Sequence, residues 1–461
     1  MKRRNFLGSI ALNALSASSA YHATGTRVGE VTHNSATAWT RLTQHPTRNT
    51  NGVLIPGRTT GKTPPVTPTV PADQLEGACP PASGRIRLAY STDANLKAAR
   101  RTPWVDVSAA QDGIHSFHLK GLKPATTYYY AAESSSSFRG SFQTAPEPNA
   151  TTPVRFCVMT CQAYPDRGHT DGHAIYPAMQ AAKPNFAVLT GDLVYLDEDQ
   201  PRATSQRLAR YHWERMFSLP RLVEFNRHTS TYWLKDDHDT LTNDSWPGLT
   251  QGELTFEQGQ RIYNEQAPLN DGPAYRTFRW GRDLQIWFSE GRDNRSPNSM
   301  PDGPTKTIWG AAQKAWFQKS VLASDATFKI LVSPTPFVGP DRKAKADNHA
   351  NEGFTYEGNE LRDWFATNLG DNFLVICGDR HWQYHSVHPR TGLNEFSVGP
   401  ASDEHAGGTP GENKAIHRFH RVKGGFLYAT VERKGSQCHL NIELRDVDGH
   451  PVYNWTRQRP V

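Results

Sequence analysis

Residues 155–195 decide how the chain folds, and they read RFCVMTCQAYPDRGHTDGHAIYPAMQAAKPNFAVLTGDLVY. The apolar runs Phe156–Met159 and Phe186–Leu189 are short, and each is followed by polar or glycine residues. A short helical segment, Ala174–Ala182, separates them. This pattern is typical of two neighbouring parallel strands that are joined by a crossover helix in a covered sheet.

Reactive side chains follow both predicted strands. Cys161 comes shortly after the first strand, and Asp192 and Tyr195 follow the second. Ligands of open α/β sheets bind beyond the carboxyl ends of such strands, so these side chains should meet at one edge. A thiol, a carboxylate and a phenol at one place favour a metal site. A disulfide between Cys157 and Cys161 is excluded, because four strand residues span about 13 Å and a disulfide needs less than about 7 Å between Cα atoms.

Two more predicted strands end in the same kind of cluster. The strand Thr231–Leu234 runs into Asp236–Asp239 (DDHD), and Phe373–Cys377 runs into Gly378–His381 (GDRH). Each motif alone is most simply a turn, but all of them together are hard to explain as turns. Carboxylates and imidazoles at converging strand ends are what a two-metal hydrolytic site requires.

The C-terminal two thirds of the chain alternates strands and helices. We expect a domain over 151–461 in the α/β class, built as a β-sandwich flanked by helices. The predicted helices are 206–219, 255–266, 311–322 and 360–369, and further strands are predicted at 274–278, 284–288, 328–332, 396–398, 425–431 and 438–444.

The preceding residues, 24–146, are rich in strand patterns and predict an all-β sandwich domain. The segment Gly121–Tyr130 resembles the corner of a fibronectin-type or immunoglobulin-like sandwich, where a tyrosine hydroxyl holds the corner. Residues 44–86 have little periodicity and many proline, threonine and glycine residues, which indicates an insertion or a surface loop. Residues 145–148 indicate a linker.

Residues 1–23 have the layout of an export signal. Arg3 and Arg4 precede a weakly apolar segment, Phe6–Ala17, that ends in small residues. The paired arginines resemble a twin-arginine signal. We therefore expect export by the twin-arginine machinery and a periplasmic or secreted location. No other stretch has the roughly 18 apolar residues of a membrane helix, so no stable membrane insertion is expected.

The overall charge sets weak limits on partners. The net charge is +6 and the isoelectric point is near 9.0, without a run of five basic residues. Because no basic cluster is interleaved with aromatic residues, no nucleic-acid binding is expected. A mildly basic surface would attract an anionic substrate rather than repel it.

The strand-end motifs together resemble the alkaline phosphatase D (PhoD-like) family of metallophosphatases. They are Thr160–Gln162, Gly191–Tyr195, Asp236–Asp239 and Gly378–His381, in this order. The resemblance covers nearly the whole chain, including the N-terminal sandwich domain and the twin-arginine signal. It implies that the helix-flanked β-sandwich over 151–461 is of the metallophosphoesterase type. The broader calcineurin-like phosphoesterases carry an aspartate and an asparagine where this chain has Cys161 and Asp237.

The resemblance implies a ferric ion and calcium as cofactors. Iron would be held by Cys161, Asp192 and Tyr195, with Asp192 bridging to calcium. It further implies metal ligation by Asp237, Asp379 and His381, with the division of the last two between the metals left open. Thiolate and phenolate ligands suit a ferric ion, and carboxylates suit calcium.

Three further residues are candidates for contacts with substrate. His238 is the candidate that protonates the leaving alkoxide, with a purely structural histidine as the alternative. Arg292 follows a predicted strand and is a candidate clamp for phosphate oxygens, with an exposed arginine as the alternative. Asn243 is a candidate contact for phosphate or metal.

The sequence therefore predicts an exported hydrolase of organic phosphate esters that uses a metal-activated hydroxide. One alternative is a phosphodiesterase or phospholipase D-type hydrolase, with phosphodiesters or phospholipids as substrates, since the motifs would be the same. The other alternative is a non-catalytic surface binding protein.

Overall fold

The structure is a computed structural model that describes residues 19–59, 64, 66–342 and 345–461. The strands, in chain order, are β1 Thr26–Gly29, β2 Ser35–Arg41, β3 Gly84–Ser91, β4 Arg100–Arg101, β5 Val105–Val107, β6 Ile114–Lys120, β7 Thr127–Glu133, β8 Ser137–Gln143, β9 Val154–Met159, β10 Phe186–Thr190, β11 Ser230–Leu234, β12 Thr250–Gln251, β13 Leu254–Thr255, β14 Arg276–Trp280, β15 Leu284–Phe288, β16 Phe328–Ser333, β17 Phe373–Cys377, β18 Gln383–Val387, β19 Asn394–Val398, β20 His417–Arg421, β21 Phe426–Lys434, β22 Gln437–Arg445 and β23 Pro451–Pro460. The helices are α1 Ile175–Ala181, α2 Gln206–Phe217, α3 Pro220–His228, α4 Asp237–Thr240, α5 Phe256–Gln266, α6 Gly310–Leu322 and α7 Thr355–Asn368.

Two large sheets form the body of the molecule. The first has the order β23-β22-β21-β9-β10-β11-β1-β2-β6, and the second has the order β14-β15-β16-β17-β19-β18-β20. Strands β9 and β10 are parallel, with Phe186 opposite Phe156, as the sequence pattern predicts. The mixed α/β, sheet-rich fold class is confirmed.

Both faces of each large sheet are buried, which explains why its strands are almost continuously apolar. Phe156 and Val158 of β9 face the interior between the sheets, where they join Ile330 and Ile376 of the second sheet in one apolar core. The alternate residues of β9 face helices α1, α2, α3 and α5. Helices α6 and α7 cover the outer face of the second sheet. Because side chains alternate along a strand, each buried strand supplies two apolar layers.

The N-terminal strands are not a detached domain. Strand β1 pairs in parallel with β11, with Gly29 opposite Thr231, so the first sheet continues into the N-terminal region. A smaller sheet, β4-β3-β7-β8 with β5, completes a sandwich over β1, β2 and β6. The predicted corner is present, because the Tyr128 hydroxyl accepts a hydrogen bond from Lys123 N at 2.9 Å.

The first described residues already pack against the N-terminal strands. Ala20 N donates to Ser135 Oγ at 2.6 Å, and Tyr21 pairs with Thr43. Most of the predicted signal, residues 1–18, lies outside the described residues. Helix α3 was not predicted, although Pro220 stands at its start, where proline is favoured.

None of the described helices combines the length and the apolar character that crossing a membrane requires.

Candidate metal centre

The strand ends of both sheets converge on one carboxylate, that of Asp192. Three groups of potential ligands include it: one adds Cys161 and His381, another adds Asp237 and His238, and the last adds Asp236 and Asp379. Within each group the ligand atoms lie within 4.8 Å of one another. A single carboxylate at the centre of several ligand groups has the arrangement needed to bridge two cations.

Tyr195 joins the first of these groups. Its hydroxyl lies 3.4 Å from Asp192 Oδ2 and 3.3 Å from His381 Nε2. The Cys161 thiol lies 3.4 Å from the same Asp192 oxygen. The structure thus brings together the thiol, the carboxylate and the phenol that the sequence placed at this edge, and it adds His381 on their side. All five cysteines are among the described residues and all are free.

A strained backbone turns these side chains toward one another. Cys161, Asp192 and Asp379 each lie just beyond the end of a strand, and their φ angles are 51°, 54° and 63°. Residues other than glycine are uncommon in this left-handed region, and they cluster at functional sites. Gly191 has a φ of 86°, and a Cβ there would lie 2.6 Å from the Cβ of Asp236. The close approach of the two loops therefore requires glycine.

Asp239 holds the loop that carries Asp192. Its carboxylate accepts hydrogen bonds from the backbone N–H groups of Asp192 at 2.6 Å, Leu193 at 2.7 Å, Val194 at 3.1 Å and Asp236 at 3.0 Å. Four donors fill most of the acceptor capacity of one carboxylate, so Asp239 is a loop anchor and not a free ligand.

The charges of the centre fit a cation. Burial, followed by the charge of Asp237, raises the pKa of Asp192 well above its usual value. Asp192 Oδ1 is buried and accepts no hydrogen bond from the described residues. A buried ionised carboxylate needs a hydrogen-bond donor or a cation as its partner. Because Oδ1 has no donor in the described part of the chain, it is open to coordination by a cation. The donor set therefore fits a metal.

His238 lies beside the proposed metal ligands. Its Nδ1 is 2.6 Å from Asp197 Oδ1, and its ring packs on the Tyr195 ring with centroids 4.4 Å apart. Burial alone would lower the pKa of His238, but the carboxylates of Asp197 and Asp237 outweigh burial and raise it well above its usual value. The contact with Asp197 occupies Nδ1 and directs Nε2 away from that carboxylate.

The two predicted substrate contacts differ in placement. Asn243 lines the cavity at the centre, and its backbone N–H donates to Asp197 at 2.8 Å. Arg292 is 1% exposed, lies 2.5 Å from Asp236 and 3.6 Å from Asp237, and does not line that cavity. A clamp on phosphate needs donors that face the cavity, and Arg292 is not in its lining, so this placement gives the Arg292 clamp no support. Arg292 instead balances the charge of the two aspartates.

The cavity over the centre measures about 180 Å³ and is polar. Its lining is Asp192, Glu198, His238, Asn243, Arg342, Lys345, Asp379, Arg380, His381, Trp382, Gly407 and Gly408. The lining combines the basic side chains of Arg342, Lys345 and Arg380 with the carboxylates of Asp192, Glu198 and Asp379. Such a cavity suits a small anionic group.

Sequence reasoning missed several residues of the centre. Asp236 was recognised only as part of a motif, and Asp197 was not singled out, although it lies between two motifs. His405 lies with its Nε2 2.8 Å from the Tyr195 hydroxyl. A signal for His405 exists, because it follows the end of β19 as the other site residues follow their strands. No local pattern indicates Arg58, which reaches the site from the 44–86 region.

Comparisons with known proteins match both parts of the chain. The family model described as PhoD-like phosphatase matches residues 156–442, and the model described as PhoD-like phosphatase, N-terminal domain, matches residues 9–146. The N-terminal region therefore corresponds to that domain type, and the comparisons do not make it specifically fibronectin-like. A search of curated protein sequences found no match.

Two solved structures share the fold over almost the whole chain. A structure of PhoD superposes with a TM-score of 0.74 and 17% identity, covering 96% of this chain and 90% of the other. A purple acid phosphatase from yellow lupin (Lupinus luteus) seeds gives a TM-score of 0.63 and 12% identity, covering 94% and 73%. At these identities the likeness shows the fold.

Replacing Asp239 tests its role as the loop anchor. In Asp239→Asn one acceptor oxygen becomes an NH₂ group that faces backbone donors, so the Asp192 loop should shift. We expect kcat to fall about 10- to 100-fold and metal content to drop. The measurements are turnover of p-nitrophenyl phosphate and elemental analysis. The exposed Asp171→Asn is the control, and equal values for both variants would contradict the anchor role.

Proposed function

The chain belongs to the PhoD-like phosphatase family and is a phosphate-ester hydrolase, and from that premise we propose that it is an exported enzyme that releases phosphate from small organic esters with a ferric ion and calcium. The observation that carries the proposal is that Asp192 belongs to three of the ligand groups found among the described residues. The surrounding donors differ in kind from one side of Asp192 to the other, which supports two different metals.

The thiol side of the centre suits iron. Cys161, Tyr195 and His381 would hold the ferric ion together with Asp192, because thiolate and phenolate ligands stabilise a strongly polarising cation. The carboxylate side would hold calcium through Asp192, Asp237 and Asp379, because calcium prefers oxygen ligands. This division assigns His381 to iron and Asp379 to calcium.

The chain's own residues bind the ester and move its proton. When bound, the metals supply Lewis acidity and a water of lowered pKa. Arg342, Lys345 and Asn243 line the cavity and would orient the phosphate oxygens. His238, directed by Asp197, would donate a proton to the leaving alkoxide from Nε2.

Metal analysis tests the ligand assignment. The wild type should contain about one iron per chain with calcium, and it should show a visible tyrosinate band. Cys161→Ala should lose the iron, the band and turnover while its circular dichroism stays unchanged, because the thiolate is a direct ligand.

Cys157→Ala is the matched control for that experiment. Cys157 is a buried, free cysteine on β9 that faces the helices, so its replacement should leave iron in place. Full turnover and full metal content in Cys161→Ala would show that the assignment is wrong. A metal-free, inactive wild type would instead favour a surface binding protein.

The size of the cavity predicts the preferred substrate. A polar cavity of about 180 Å³ is smaller than most pockets for drug-sized ligands, so it suits a phosphate with a short alkoxide. We expect kcat/KM to be higher for p-nitrophenyl phosphate than for bis(p-nitrophenyl) phosphate. A preference for the diester, or for a phosphatidyl ester, would support the phosphodiesterase or phospholipase D-type alternative.

Export is proposed from the sequence of the N-terminus. Arg3 and Arg4 form the twin-arginine pair, and substitution of both by lysine should retain the protein in the cytoplasm. Fractionation of cells that express the full chain measures this. The control must leave the arginine pair intact. Arg27→Lys does so but is not informative, because Arg27 is buried. Lys2→Arg therefore serves as the control. Equal export of the double lysine variant would contradict the proposal.

A further inference from the structure

A segment of the 44–86 region is fixed to the loop that follows Tyr195. Thr59 N donates to the Glu198 carbonyl at 2.9 Å, and Gln200 N donates to the Gly57 carbonyl at 3.1 Å. Arg58 and Asp199 form the β-bridge between these contacts. The region predicted as an insertion or surface loop is therefore attached next to the metal centre.

Arg58 extends from this bridge over the Tyr195 ring. Its guanidinium carbon lies 4.5 Å from the ring centroid. Its nitrogens lie 2.5 Å from Glu198, 3.2 Å from Asp166 and 3.2 Å from Asp199. The side chain is 21% exposed, so these contacts are shielded from water and the guanidinium is held in one place.

His405 connects Arg58 to the Tyr195 hydroxyl. Its Nδ1 lies 2.8 Å from Arg58 Nη1 and 2.9 Å from Asp166, and its Nε2 lies 2.8 Å from the hydroxyl oxygen. The ring also packs on that of His381 with centroids 4.2 Å apart. His405 is buried.

A metal-bound phenolate decides which nitrogen of His405 carries the hydrogen. A phenolate oxygen only accepts hydrogen bonds, so Nε2 of His405 must be the donor. Nδ1 faces both the Arg58 Nη1 donor at 2.8 Å and the Asp166 carboxylate at 2.9 Å. The phenolate therefore makes Nε2 a donor, while Arg58 and Asp166 together hold the ring at Nδ1.

Resting on the proposed function, we propose that His405 and Arg58 are positioning residues for the metal-binding phenol of Tyr195. His405 donates a hydrogen bond to the phenolate oxygen, and Arg58 holds the His405 ring at Nδ1 and covers the Tyr195 ring. Neither residue is a ligand or a catalytic residue. Partners of this kind orient a ligand and set how strongly it donates to the metal.

Removal of the donor at residue 405 tests the proposal. His405→Phe keeps a ring but cannot donate, whereas His405→Gln places an N–H group near the former Nε2. Timed dialysis against EDTA, followed by elemental analysis, measures how fast each metal leaves. In His405→Phe we expect the iron to leave about 10- to 100-fold faster, with calcium loss unchanged, and His405→Gln should restore most of the retention.

The visible spectrum gives a readout that loss of packing would not reproduce. Without its hydrogen bond the phenolate donates more strongly, so the tyrosinate band of freshly loaded His405→Phe should move to longer wavelength. The band of His405→Gln should stay near that of the wild type. Arg58→Gln should move the band in the same direction by a smaller amount.

Arg48→Gln is the matched control. Arg48 belongs to the same region and pairs with Glu76 at 3.1 Å, away from Tyr195, so its band and metal retention should equal those of the wild type. If His405→Phe matches the wild type in both readouts, the positioning role is wrong and the proposed function stands. If the wild type itself holds no iron and shows no band, the proposed function fails and this inference fails with it.

Discussion

The structure depends on keeping one buried carboxylate, that of Asp192, at the meeting point of two sheets. A carboxylate removed from water is costly unless other groups or cations replace the lost hydration. Three features hold this carboxylate in place. Asp192 adopts a left-handed backbone conformation, Gly191 beside it allows the close approach of the neighbouring loop, and Asp239 anchors the Asp192 loop by hydrogen bonds. These features restrict the backbone but leave Asp192 Oδ1 free for a metal. The strain in the turn is thus part of how the centre is preorganised.

Two buried arginines at the centre balance the negative charge of its aspartates. Arg292 bonds to Asp236, and Arg380 contacts Asp341 and Asp379. Both guanidiniums are almost completely buried. They reduce the repulsion among the aspartates of the centre. The basic groups that remain on the cavity side are Arg342 and Lys345, and Lys345 itself pairs with carboxylates.

The N-terminal region is structurally continuous with the catalytic body. The first sheet passes from β11 into β1 without a break, and Arg41 of β2 forms buried ion pairs with Asp112 at 2.6 Å and Glu214 of α2 at 3.0 Å. The 44–86 region extends this contact to the metal centre through Arg58. A region that the sequence presents as a separate sandwich with a loose insertion therefore contributes to the surroundings of Tyr195.

The sequence by itself determined the class of the fold, the phosphatase family and the strand ends at which Cys161, Asp192, Asp237 and Asp379 lie. Apolar periodicity marks parallel strands, and the carboxyl ends of such strands meet at one edge, which gave the fold class and the strand ends. The family came from the resemblance of the four strand-end motifs in their order. Only the tertiary structure decided that His381 faces Cys161 and Tyr195, that Arg292 lies behind the aspartates, and that His405 and Arg58 meet although they are 347 positions apart. These contacts depend on how two sheets and several irregular loops pack, and irregular loops carry no periodic signal. Local sequence can place a residue at the end of a strand, but the direction in which its side chain points is set by the rest of the fold.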